Sequence, residues 1–301
     1  MRRDDTTSPA LRLVRPLDPR VVDAPCGRRS LRSGLALAGL IAAGALGACQ
    51  TSDLADVQAI SLDRNQGLEQ NIGSLTQTVN ANPQEPEGYN VRGTAYGRAG
   101  DYDAAIKDFS TAIQLDPNFY QAYANRALVY RQINEPAKAV ADYNKALAIN
   151  PNYDSAYIGR GNVYRVAGRN REALADFQRA IDLKTADPRA YHNRGLLYQR
   201  DGQHKQAIED FSTAISIDPK AAEPYSGRGV SYVALGDLDN AFADFNIALK
   251  LDNTKAEYWV NQAIVYEQQG NKPRAFKAYA HAASLDPKYA PAKEGMARTR
   301  S

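Results

Sequence analysis

Five arginines and five aspartates stand in two registers of one spacing. Arg92, Arg126, Arg160, Arg194 and Arg228 recur every 34 residues, and Asp108, Asp142, Asp176, Asp210 and Asp244 follow them, each 16 residues behind its arginine. A row of guanidinium groups on one helical face has the chemistry of an anion-binding ladder. The aspartates argue for another use. At the next step of the period Gln262 replaces the arginine and Ala278 the aspartate, so the two types are kept together and lost together. Joint loss is expected of ion pairs that join two helices, and the five pairs are assigned that structural role.

Little else in the chain has the spacing of catalysis. The histidines are His192, His204 and His281, none paired at helical spacing, and there is no His-Glu-x-x-His, Gly-x-Ser-x-Gly or glycine-rich phosphate loop. His204 is placed in a turn between helices and His281 on the second helix of a repeat. The two cysteines, Cys26 and Cys49, do not make a disulfide framework. The reading is of a protein without enzymatic activity, cofactor or metal. The net charge of +3 is local: residues 1–48 carry +4 and the remainder −1. A near-neutral body lacks the electrostatic footprint of a nucleic-acid binder.

The elements that position the ladder are legible in the period itself. Residues 86–289 divide into six blocks of 34 without insertion, beginning at Pro86, Tyr120, Asp154, Pro188, Ala222 and Ala256. Position 4 of each block is Tyr89, Tyr123, Tyr157, Tyr191, Tyr225 or Trp259, and position 11 is always tyrosine, from Tyr96 to Tyr266. Position 24 is aromatic throughout: Phe109, Tyr143, Phe177, Phe211, Phe245 and Tyr279. Position 8 is Gly or Ala, and positions 20 and 27 are always Ala. Small residues let two antiparallel helices approach, and the aromatics fill the space between helices and between repeats. This phase assigns 13 of the 18 tyrosines to packing, which removes base stacking as their purpose. Position 15 is Gly100, Asn134, Gly168, Gly202, Gly236 or Gly270, the types that tolerate a left-handed turn. Asp-Pro or Asn-Pro ends most second helices; the third block moves its proline to Pro188 and the fifth has Asn253.

The pattern is identified as that of the tetratricopeptide repeat (TPR). The resemblance implies an all-α fold, an α-solenoid in which helix-turn-helix repeats wind into a right-handed superhelix. Asp63–Ala81 has helical spacing at Leu68, Ile72, Leu75 and Val79 and reads as a degenerate second helix within an N-terminal cap over 63–85. Residues 290–301 form a short, weak polar cap, which would leave the sixth repeat partly uncovered and open to homodimer formation.

The N-terminus reads as an address. Arg28, Arg29 and Arg32 precede Ser33–Ala48, a charge-free run of 16 residues, shorter than the ~20 needed to span a bilayer. A basic flank before a short apolar stretch marks a secretory signal. Leu46-Gly47-Ala48-Cys49 resembles a bacterial lipobox, which implies lipidation of Cys49 and cleavage before it. An ordinary cleaved signal and an uncleaved short anchor are the alternatives. Arg28-Arg29-Ser30-Leu31 also resembles a twin-arginine signal. Residues 1–48 are then leader and signal, and 49–62 a lipidated tether. The long, proline-containing leader before Arg28 leaves room for a later start codon. Gln50, where an aspartate would resemble the inner-membrane retention signal, favours the periplasmic face of the outer membrane. Three acyl chains, at about 0.8 kcal/mol per buried CH₂, would hold the protein there.

In TPR proteins the first helices line a concave groove, with positions 2, 5, 9, 12 and 13 facing it. Carried onto this sequence, the groove residues are Asn90, Arg98, Leu128, Arg131, Gln132, Asn162, Arg165, His192, Leu196, Gln199, Arg200, Val230 and Ile264, with Val166 and Val233 among the apolar positions. This surface is basic and amphipathic in the first four repeats and more apolar beyond, with Glu257 and Glu267 reversing its sign at the end. It suits a protein or peptide partner with acidic and apolar residues. Asn90, Thr94, Ser155 and Gly159 stand where the carboxylate clamp of chaperone-binding TPR domains needs lysine, asparagine and basic residues, which argues against that ligand. Lipobox plus repeats resembles the NlpI-like envelope lipoproteins. That resemblance implies an adaptor that docks a periplasmic processing protease or peptidoglycan enzymes. An accessory lipoprotein of a secretion or pilus machine is the alternative.

Overall fold

The computed structural model describes residues 64–300; the signal, Cys49 and the whole tether lie outside them. Fourteen helices and no strand are found among the described residues. The first, α1 (Arg64–Ala81), stands alone. Six antiparallel pairs follow: α2 (Pro86–Ala99) with α3 (Tyr102–Leu115), α4 (Tyr120–Gln132) with α5 (Pro136–Ile149), and α6 (Asp154–Val166) with α7 (Asn170–Asp182). Then come α8 (Pro188–Arg200) with α9 (His204–Ile217), α10 (Ala222–Ala234) with α11 (Leu238–Leu251), and α12 (Ala256–Gln268) with α13 (Lys272–Leu285). A last helix, α14 (Ala290–Thr299), closes the array.

Each pair turns on a left-handed residue. Gly100 has φ of 83° and Asn134 of 60°. The next amide then folds back onto the carbonyl of the position-11 tyrosine, as in Asp101 N to Tyr96 O at 3.0 Å and Glu135 N to Tyr130 O at 2.8 Å. That closure satisfies carbonyls the helix end would otherwise leave open. Second helices end in an Asx turn: Asp116 Oδ1 accepts from Asn118 N at 2.8 Å, and Asp218 Oδ1 from Lys220 N at 3.0 Å. The third repeat ends differently. Its helix α7 stops at Asp182, and Lys184 takes φ of 60° before Asp187 caps α8 by accepting from Arg189 N.

The core follows the period. The alanines at positions 20 and 27 are fully buried in all six repeats, and the position-24 rings are at most 2 % exposed. The glycine or alanine at position 8 lies under that ring; a Cβ added to Gly229 would sit 2.6 Å from Phe245 Cε1. The tyrosines at positions 4 and 11 are mostly half-buried and do more than fill space. They flank the position-7 arginine, with Arg92 Cζ 5.6 Å from the Tyr89 ring centroid and 5.9 Å from that of Tyr96. This is cation–π geometry.

All five Arg–Asp pairs are bidentate. Arg126 Nε donates to Asp142 Oδ2 at 2.7 Å and Nη2 to Oδ1 at 2.9 Å, and the others repeat this within 0.3 Å. The hydrogen bond to the carboxylate raises the pKa of each arginine. Burial pushes the carboxyls of Asp176 and Asp210 up against the pull of their arginines. The free Nη1 reaches into the preceding repeat: Arg126 to Ser110 Oγ at 2.9 Å, Arg160 to Asn144 Oδ1 at 2.6 Å, Arg228 to Ser212 Oγ at 3.0 Å. These partners occupy position 25, which the sequence reading passed over. The link survives where the ion pair is lost, as Gln262 donates to Asn246 Oδ1 at 2.7 Å. It also fixes the phase of α1, whose Thr76 accepts from Arg92 Nη1 at 3.4 Å from the place of a position-25 residue.

The C-terminal cap corrects the sequence reading. α14 packs on repeat six, placing Tyr289, Ala292 and Met296 in one cluster with Val260, Ile264 and Tyr279. The apolar end on which the homodimer reading depended is covered. The weak polarity of the segment concealed a glycine, Gly295, into which the Tyr279 ring fits so closely that any Cβ would overlap it.

Candidate partner-binding groove

The first helices α2, α4, α6, α8, α10 and α12 run side by side, and their inner faces form the candidate groove. In the first four repeats several of these positions are open to solvent. Leu128 is 41 % and Val166 48 % exposed, with Arg98, Gln132 and Arg200 exposed beside them and Arg131, Asn162, Arg165 and Leu196 half-buried. Arg200 is held by Asp201 at 3.2 Å. Asn90 Oδ1 accepts from Asn125 Nδ2 at 2.9 Å, tying α2 to α4. The groove begins in a pocket of about 250 Å³ between α1 and α2, lined by Asn71, Leu75, Asn90, Val91, Thr94, Ala95 and Arg98. Asn71 and Leu75 were not among the expected groove residues because α1 precedes the six first helices to which the groove positions apply.

His192 is not a groove ligand of the expected kind. Its ring packs on Phe211 with centroids 5.6 Å apart, and Nδ1 is buried without a hydrogen-bond partner. Burial first, and then the charge of Arg165, push its pKa down to about 4, so the ring is neutral at physiological pH. Gln199 is also engaged within the protein, donating to Gly227 O at 2.8 Å and Ser231 Oγ at 2.9 Å.

Val230 and Ile264 require correction. They are 7 % and 3 % exposed and belong to the core cluster that Val233 and Val260 share with the cap. Two effects close the groove here. Gly195 and Gly227 both lie against Phe211, where a Cβ on Gly227 would sit 2.7 Å from Cζ, so α9 and α10 approach closely. Position 9 of repeats five and six and position 12 of repeat five are apolar, and these side chains meet, which excludes water.

The acidic end is likewise not free. Glu267 accepts from Arg298 Nε at 3.0 Å and from Tyr279 Oη at 2.7 Å. Burial acts to raise its pKa, but these hydrogen bonds outweigh it and hold the carboxyl below the ordinary value. Glu257 goes the other way: burial, reinforced by Glu223 and only partly offset by Lys255, lifts it to about 7. Nearby, Tyr289 Oη is buried without a partner. His204 is the first residue of α9 and lies beyond the turn in which the sequence reading placed it; His281 is on α13. Among the described residues no group of three His, Cys, Asp or Glu side chains could hold a metal ion. No helix among them is long and apolar enough to cross a membrane.

Profiles of the tetratricopeptide repeat match residues 90–154, 161–202, 188–221, 222–255 and 256–289. The chain belongs to the tetratricopeptide repeat family. A comparison with curated protein sequences returned no match. Among solved structures, the chain is similar to the APC/C hetero-tetramer Cut9–Hcn1 at a TM-score of 0.70 and 20 % identity, over 79 % of this chain and 46 % of that one. It thus spans less than half the length of that protein. It is similar to pilF of Pseudomonas aeruginosa at a TM-score of 0.65 and 19 % identity, over 71 % of this chain and 97 % of the other. It is also similar to YrrB, described as a TPR protein with an unusual peptide-binding site, at 0.52 and 25 % identity, over 62 % and 96 %. The first two likenesses concern the fold alone.

Proposed function

We propose that this protein is a non-catalytic adaptor, anchored to the bacterial cell envelope through a lipidated Cys49, that holds an extended partner segment in the groove of repeats one to four. One observation carries the reading. Leu128 and Val166 are large apolar side chains left 41 % and 48 % exposed on the inner face, among the arginines Arg98, Arg131 and Arg165. Apolar side chains flanked by cations call for a ligand that alternates apolar and acidic residues. The peptide-binding description of YrrB is in keeping with this use of the fold. The lipobox-like Leu46-Gly47-Ala48-Cys49 and Gln50 support a location at the outer membrane, facing the periplasm. Envelope proteases and peptidoglycan enzymes are the partners this location makes available.

The test is photo-crosslinking in cells from positions 128 and 131 of the full chain, with captured proteins identified by mass spectrometry. Capture of an envelope protease or peptidoglycan enzyme, abolished by Leu128→Asp or Arg131→Glu, supports the adaptor. Capture of secretion or pilus components would replace it with the accessory role. Crosslinks indifferent to both substitutions would remove function from the groove. For the anchor, Cys49→Ala should move the protein from the membrane to the soluble fraction; unchanged membrane retention would refute lipidation.

A further inference from the structure

The closing helix shows what one corner of the groove does when it is filled. Arg298 lies on the Glu267 carboxylate, with Nε 3.0 Å from Oε1 and Nη2 3.1 Å from Oε2. Tyr279 Oη donates to the same carboxylate at 2.7 Å, and Arg298 Nη2 reaches that hydroxyl at 3.3 Å. The phenol arrives there because Gly295 leaves its ring room. Four repeat positions build this corner: 12 and 24 of one repeat, Glu267 and Tyr279, and 6 and 9 of the next first helix, Gly295 and Arg298.

On α4, α5 and α6 the same four positions hold Arg131, Tyr143, Gly159 and Asn162. Tyr143 also lies against a glycine, Gly159, but tip-first, with its Cζ and Oη where a Cβ would stand, whereas Tyr279 meets Gly295 by its ring edge, Cε1 and Cδ1. At the other four repeats position 24 is phenylalanine. The array therefore delivers a phenol hydroxyl to this corner twice, once beside a glutamate and once beside an arginine. The second corner uses the same repeat positions with the charge at position 12 inverted, and it lacks a counter-ion. Asn162, where the closing charge would come from, is neutral. Among the described residues Tyr143 Oη takes part in no hydrogen bond and Arg131 in no ion pair. Arg189, whose charge also acts on Tyr143, is already held by Asp187 at 2.9 Å. Burial pushes the Tyr143 hydroxyl up to about 12 despite both arginines, so it stays protonated and able to donate.

We infer that Arg131, Tyr143 and Asn162 form a carboxylate-binding corner, and that its ligand is a glutamate or aspartate side chain of the partner segment. This rests on the groove reading proposed above and names the contact that would decide its specificity. The carboxylate accepts from the Tyr143 hydroxyl, the Arg131 guanidinium and the Asn162 amide, replacing the missing acid of the inverted corner. Leu128, one turn before Arg131 on α4 and 41 % exposed, supplies the apolar contact beside it. The partner motif is thus an acidic residue next to a large apolar one.

The test uses the full chain in detergent and three fluorescein-labelled decapeptides, leucine alternating with glutamate, glutamine or lysine, read by fluorescence anisotropy. The wild type should prefer the glutamate peptide to the glutamine peptide by about 10-fold or more, as hydrogen bonds to an ionised group imply. Tyr143→Phe should lower affinity for the glutamate peptide about 5- to 10-fold and leave the glutamine peptide unchanged, whereas a packing defect would shift both alike. Glutamate binding that survives Tyr143→Phe and Arg131→Gln but is lost with Arg98→Glu overturns the corner and leaves the groove reading standing. Absence of binding to all three peptides overturns both. A second measurement needs no ligand. Arg131→Glu combined with Asn162→Arg rebuilds the filled corner and should melt about 2–4 °C above Arg131→Glu alone. Equal melting points would show that the two corners are not equivalent and overturn the inference.

Discussion

The two ends of the solenoid share one 34-residue pattern and part company at positions 9 and 12. In repeats two to four these positions are Leu128, Arg131, Asn162, Arg165, Leu196 and Gln199, and the inner surface stays open. In repeats five and six Val230, Val233 and Ile264 close into a core with α14, and Glu267 is paired with Arg298. The helices do not separate these regions, and pair geometry is the same at Arg126 and Arg228, with the pair replaced by Gln262 and Ala278 only in repeat six. Groove and core are thus two outcomes of one backbone arrangement. Side-chain polarity on the first helices decides which outcome holds: apolar residues exclude water and draw together, whereas guanidinium and amide groups keep it.

The strongest way to break the comparison is to place one charge in each region. Val230→Asp should cost about 4 kcal/mol, as an unpaired carboxylate in a core does, and Leu128→Asp less than ~0.5 kcal/mol. Equal losses in urea denaturation would mean that the closed half is not closed. The ladder should be indifferent to the distinction. Arg160→Ala and Arg228→Ala should each cost about 3 kcal/mol, and the matched doubles with Asp176→Ala and Asp244→Ala should recover part of that. Strict additivity in either cycle would dissolve the pairing. Next comes the half-buried acid of the closed end, Glu257. The folded-state pKa of Glu257 is raised to about 7 while the unfolded chain titrates near 4.5, so stability falls as pH rises through that interval. Glu257→Gln should therefore stabilise by about 2 kcal/mol at pH 8 and hardly at all at pH 4. A gain that is the same at both pH values would show that the carboxyl titrates normally. The smallest effect is expected inside the open region, between repeats three and four. Lys184 holds φ of 60° after α7, and Lys184→Gly should stabilise by about 0.5–1 kcal/mol by relieving that strain. A loss of stability would mean that the lysine side chain contributes more than its backbone costs.

Much of this was legible in the chain. The period located both helices of every repeat, because small residues at positions 8, 20 and 27 leave few other ways to pack the position-24 rings. The joint loss of arginine and aspartate at Gln262 and Ala278 pointed to the ion pairs. Position 25 was missed, although Thr76, Ser110, Asn144, Gln178, Ser212 and Asn246 are all polar on helices that are otherwise amphipathic. Its signal lies one repeat away from its partner, and a reading confined to single repeats does not see it. Position 6 was missed for the same reason: it alternates Asn125, Gly159, Asn193, Gly227, Asn261 and Gly295, answering the ring of the repeat before. Burial of Val230 and Ile264 was misjudged because a family's groove positions were carried over without the side chains that face them.

The amino-acid sequence by itself determined the repeat: helix lengths, the left-handed turn, the pairing of Arg with Asp 16 residues on, and the aromatic layer. Each of these depends on residues within one 34-residue unit, where helical periodicity and residue size leave little freedom. Which of the groove positions remain in water was decided only by the tertiary structure. That outcome depends on which side chains of neighbouring repeats meet across the first helices, and contacts such as Gln199 to Gly227, 28 residues apart, and Arg298 to Glu267, 31 residues apart, join groups that no single repeat contains.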